Sequence, residues 1–95
     1  MFIERTFTNP TSTTTTVTVT NTLTGRVREA VVPLTVMTGP QIHSFVNGAM
    51  SQNAFPLLNT VEREFILSGM TVAEQAEVFG NVNKAMTMRF TVVDK

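Results

Sequence analysis

The chain has 95 residues with seven basic and seven acidic side chains, a formal net charge of zero, and no cysteine. That length supports a single domain over 1–95, and the missing cysteine excludes a disulfide framework, a thiol nucleophile and a thiolate metal site. A neutral balance is a poor match to a phosphate backbone, so nucleic acid is an unlikely partner on charge alone.

Residues 2–8, "FIERTFT", alternate weakly and form a candidate first strand, broken by Asn9-Pro10. Residues 12–22, "STTTTVTVTNT", are almost entirely β-branched and predict an extended strand. Thr14, Thr16, Thr18 and Thr20 share one face of it, and no charge falls between Thr6 and Gly25. "NTLTG" (21–25) is turn chemistry, and "RVREAVVPLTV" (26–36) resumes as the second arm of a hairpin. Ala30, Val32, Leu34 and Val36 share one face of that arm, and Val27, Glu29, Val31 and Pro33 the other. Pro33 cannot donate to a ladder, so the strand is an edge, bulges or ends there.

Thr38 is a candidate N-cap for a helix entered through Pro40. Ile42, Phe45, Val46, Ala49 and Met50 follow the spacing of one apolar stripe, with Gly48 a candidate early stop. Gln41, His43 and Asn47 are then candidate partner-facing positions. Phe55 precedes Pro56 and is expected to be extended. A second helix starts near Asn59 or Thr60, with Leu58, Val61, Phe65 and Ile66 inward and Glu62, Arg63 and Glu64 outward, and Gly69 closes it. "TVAE" (71–74) is a capping box for a third helix, whose stripe is Val72, Ala76 and Phe79 and whose stop is Gly80. "AMTMRFTVVDK" (85–95) alternates as a final strand, with Met86, Met88, Phe90 and Val92 on one face. The expected fold is α+β: an N-terminal hairpin with a candidate extra first strand, three short helices on one sheet face, and a C-terminal strand.

Catalytic chemistry finds little support. His43 is the only histidine, and its neighbour Ser44 points about 100° away on a helix, so the two do not form a nucleophile–base pair. One His and no Cys leave no zinc set, no glycine-rich phosphate loop occurs, and no cofactor or enzyme activity is expected. "MFIERTF" lacks the apolar core of a secretory signal, and "AVVPLTVM" is too short for a membrane span. A cytoplasmic location is expected, in the host cytoplasm or a virion if the source is viral.

Two resemblances arise in the helical part. Glu62–Phe65, Gly69, the Thr71-capped helix and Glu77 before "VFG" resemble the first helices of response-regulator-type helix-turn-helix activators. That would make 60–89 a DNA-reading corner with 82–89 as its recognition helix. Phe55-Pro56, Glu62–Phe65 and Gly69–Glu74 also resemble a pattern in small bacteriophage proteins, with Gln75 where that pattern has an aromatic. This second resemblance implies a viral origin and no defined activity. The leading expectation is a non-enzymatic protein acting through protein–protein contacts, in phage assembly or an accessory role; the alternative is the DNA-binding regulator. A long uncharged strand at 12–22 has two possible fates: it is central in its own sheet, or its edge pairs with a second subunit through Thr14, Thr16, Thr18 and Thr20. The second fate predicts a homo-oligomer, a dimer above all.

Overall fold

The computed structural model describes residues 2–9, 11–80 and 87–95. Its elements in order are β1 (Ile3–Thr8), β2 (Thr14–Asn21), β3 (Val27–Pro33), α1 (Gly39–Val46), α2 (Ser51–Ala54), α3 (Thr60–Ser68), α4 (Val72–Phe79) and β4 (Val92–Asp94). The strands form one antiparallel sheet in the order β1-β2-β3-β4. This is the expected α+β arrangement, with the extra first strand present and a one-turn helix, α2, added to the expected three. No helix among the described residues is long and apolar enough to cross a membrane.

The β-branched run at 14–21 takes the extended conformation its side chains favour, and Gly25 turns the hairpin at a positive φ of 78°. Alternation sorts the sheet into two faces. Thr15, Val17 and Val19 of β2 and Arg28, Ala30 and Val32 of β3 are buried under the helices. Thr14, Thr16, Thr18 and Thr20 lie on the opposite, open face, with Val31 half exposed beside them.

The strand at 12–22 takes the first of its two fates. β2 pairs with β1 through Thr16–Asn21 and with β3 through Thr14–Thr20, so both of its edges are occupied. The self-association strand inferred at Thr14, Thr16, Thr18 and Thr20 is therefore corrected: those threonines offer side chains on a sheet face, not a free backbone edge. β3 ends at Pro33, and β4 covers only Arg28–Ala30, which leaves Pro33 where no ladder bond is asked of it.

The core beneath the sheet gathers Val17, Val32, Met37, Phe55, Phe65 and Ile66, all fully shielded from water. α1 is capped as expected, by Thr38 and Gln41 in a reciprocal box with Pro40 in its first turn. Ile42, Phe45 and Ala49 pack against the core, whereas Val46 and Met50 of the same predicted stripe are exposed. Phe55 leaves α2 at φ −123° and ψ 66°, outside the helical well, as the following proline requires.

Two further expectations change. α4 does not bury Val72, Ala76 and Phe79, which are exposed; its buried residue is Gln75, whose amide donates to the carbonyls of Val61 and Met70 at 3.0 and 3.1 Å. The helix roll is set by polar anchors, Gln75 and the neighbouring Glu74, and not by its apolar residues. The final strand is short because Thr87 and Arg89 spend backbone groups elsewhere. The Arg89 N–H donates to Glu62 at 2.8 Å, and the Thr87 carbonyl accepts from Asn59 Nδ2 at 2.9 Å. Met88 and Phe90 still turn the same way, and Phe90 reaches the Phe65 ring at 5.9 Å. Met86 lies outside the described residues.

Candidate protein-contact surface

What a surface can offer depends on which charges the fold keeps for itself. α3 begins with Asn59 as N-cap, whose side chain accepts from the Glu62 N–H while the Glu62 carboxylate accepts from the Asn59 N–H at 3.0 Å. Glu62 is fully buried, which corrects its expected outward position. The C-terminal segment supplies its countercharge: Arg89 donates to it from Nε at 2.9 Å and from Nη2 at 2.7 Å. Burial pushes the Glu62 carboxyl up, but the Arg89 guanidinium and the Asn59 and Arg89 backbone donors outweigh it and hold the group below the usual range.

The capping box of α4 is used the same way. Thr71 and Glu74 cap each other, and Glu74 also receives Arg26 at 2.9 Å and both terminal nitrogens of Arg28. The Arg28 guanidinium, with the Thr71 N–H behind it, lowers the Glu74 carboxyl to about 2. Arg28 is itself buried on the sheet. It donates further to Asp94 at 2.7 Å and to the Gly69 carbonyl at 2.9 Å, and the Glu74 bond above all raises its pKa. At the other end of α3, Arg5 donates to the carbonyls of Ile66 and Leu67, where a cation complements the helix dipole.

Arg63 donates to the carbonyls of Phe55 and Leu58, and Lys95 lies 3.3 Å from Glu29. Among the described residues, every basic side chain thus has an internal partner. Between the β2–β3 turn and the α3–α4 corner lies an open cleft of about 350 Å3, lined by Val19, Arg26, Arg28, Gly69, Met70 and Glu77. Its two arginines are already paired, Arg26 with Glu74 and Arg28 with Glu74 and Asp94. Ser68 at its rim donates to the Glu64 carbonyl at 2.9 Å rather than to a base. Among the described residues no set of His, Cys, Asp or Glu converges to hold a metal ion.

The candidate partner-facing positions divide. His43 and Asn47 are exposed on α1 and face each other, Asn47 Nδ2 lying 3.1 Å from His43 Nε2 and donating to the His43 carbonyl at 2.9 Å. Gln41 is turned to a different task, since its Oε1 accepts from the Thr38 N–H. The DNA-reading corner loses its reader where it is described: 87–89 are not helical, and Arg89 is bound to Glu62 and to the Leu57 carbonyl. Residues 82–86 of that corner lie outside the described residues.

What remains open is the far side of the sheet. No helix covers it. Thr18 donates to Glu29 across its middle at 3.5 Å, and Val31 and Val93 are each about half exposed at its β3–β4 side. The sequence marked this surface through its threonine alternation, but gave no sign that β1 rather than β2 would form its edge. Comparison with family models, with curated proteins and with solved structures returned no match.

Proposed function

We propose that the protein is non-enzymatic and acts by protein–protein contact through the open side of its sheet, as an assembly or accessory component. The resemblance carried by 55–74 adds a phage source to this reading, and a homo-oligomer, dimer first, is the expected form. One observation supports it above others. Arg5, Arg28, Arg63 and Arg89 are engaged at helix ends and in clasping segments, while the open sheet face presents rows of threonine and valine with Glu4 and the Glu29–Lys95 pair among them. Monomer surfaces usually intersperse both signs.

Val31→Lys tests the reading, because Val31 is half exposed on the open face. Immobilised wild-type protein should retain a defined protein from its native host, and the variant should lose it. Retention of the same protein by the variant overturns the reading. So does tight, salt-sensitive binding of random duplex DNA by the wild type, which belongs to the regulator alternative.

A further inference from the structure

We propose that the β1 edge of the sheet pairs with a second copy of this chain, β1 to β1 in antiparallel register centred on Thr6. The two sheets then run on as one. This deepens the contact reading above and rests on it.

The phase of the ladder identifies the free groups. Thr22 N–H donates to the Phe2 carbonyl at 2.7 Å, which makes the even-numbered residues of β1 the ones that bond to β2. The N–H and C=O of Ile3, Arg5 and Phe7 therefore point away from the sheet. Among the described residues nothing bonds to them. Edges are ordinarily guarded by charged side chains, proline or a bulge. Residues 3–8 contain no lysine, proline or bulge; of their two charges, Glu4 lies on the outer face and Arg5 is held over the last turn of α3.

The same phase restricts the register. Two such edges bond only when odd-numbered residues face odd-numbered residues, so the two-fold axis passes through a residue and not between two. Centring on Arg5 sets like charges directly opposite, which is destabilising. Centring on Thr6 sets Thr6 against its own copy, Glu4 against Thr8 and Arg5 against Phe7. No like charges then meet, and the outer threonine rows continue across the seam. On the inner side the edge is flanked by a notch of about 240 Å3 formed by Arg5, Phe7, Phe45 and Val46. Val46, at the end of a helix whose core side is already used, is 65% exposed there. Copies related at Thr6 bring these notches, each with Val46 at its rim, to either side of the same axis.

The test uses the full chain. Light scattering after size exclusion should give twice the monomer mass in the micromolar range, and the amides of Arg5 and Phe7 should exchange slowly. Thr6 is exposed, so Thr6→Lys and Thr6→Glu should each fold and run as monomers, with the Arg5 and Phe7 amides released. An equimolar mixture of the two should recover the dimer, because opposite charges then meet at the axis. A wild-type monomer across that range overturns the proposal, as does a dimer untouched by Thr6→Lys with unchanged circular dichroism. Should Thr6→Lys not fold, fast exchange of the wild-type Arg5 and Phe7 amides still overturns it. A monomer that retains its host protein through Val31 defeats self-pairing alone. A dimer whose Val31→Lys variant retains the same protein defeats the outer-face reading alone.

Discussion

The Glu62 carboxylate is fully shielded from water and accepts from the backbone of Asn59 and from both the backbone and side chain of Arg89. Removing one member of a buried ion pair leaves the other uncompensated, at a cost of about 3–5 kcal/mol. Arg89→Ala should fall toward the low end of that range, since half of the Arg89 side chain meets solvent. A urea titration reads this as a lowered midpoint, and an unchanged midpoint would contradict the clasp. Acid should act on the same devices. The folded Glu74 pKa, about 2, and the lowered Glu62 pKa both lie below the unfolded carboxyl range, so the unfolded chain binds protons first. Their contribution is fully present above about pH 5, is lost as pH falls toward about 2, and should be flattened in Glu74→Gln; thermal midpoints across that range check it. The Asn59-x-x-Glu62 spacing carried the same box signal as Thr71-x-x-Glu74. Its carboxylate was nonetheless expected to face water, because acids on a helix ordinarily do. The partner that allows burial stands 27 positions away, and no local pattern announces it.

Helix α3 is fastened at both ends and across its middle: Glu62 to Arg89, the last carbonyls to Arg5, and Phe65 into the core. Phe65→Ala should lower stability by about 3–5 kcal/mol, measured by chemical denaturation. Gly69 ends the helix at φ 79°, and an added Cβ would stand 3.1 Å from Val19 Cγ1. Gly69→Ala should therefore cost about 1–2 kcal/mol from the left-handed backbone, with the valine contact adding to it. Equal stability in the same titration would rule out that account. Caps, turns and the stop at Gly69 were legible because each is decided within a few residues. The roll of α4 was not, because Gln75 and Glu74 are oriented by Val61, Met70 and Arg28 in other elements. The alternation of 85–95 predicts one strand, yet among the described residues only Val92–Asp94 pair with β3, since Thr87 and Arg89 serve the cap of α3.

At the scale of the molecule, the described basic side chains are arranged for internal fastening. Titration with random duplex DNA at low salt should show no micromolar binding, since phosphate contacts need cations that are not already engaged. Alternation in the sequence was enough to assign the two sheet faces, the threonine row and the apolar set beneath it. Strand order was out of its reach: which of two neighbouring extended segments becomes the edge depends on where β4 and α3 dock. The Arg89 clasp also bears on how the chain reaches this arrangement in time. Residues 3–33 make contacts near in sequence, whereas the clasp spans 27 positions and the β3–β4 pairing joins segments farther apart still, Arg28 and Asp94 being separated by 66. Closing such loops costs chain entropy before any contact repays it, so they should form after the rate-limiting barrier. Arg89→Ala should accordingly accelerate unfolding and leave the refolding rate nearly unchanged in stopped-flow experiments. The C-terminal segment then acts as a latch on the finished fold, setting how long the native state persists rather than how quickly it is found.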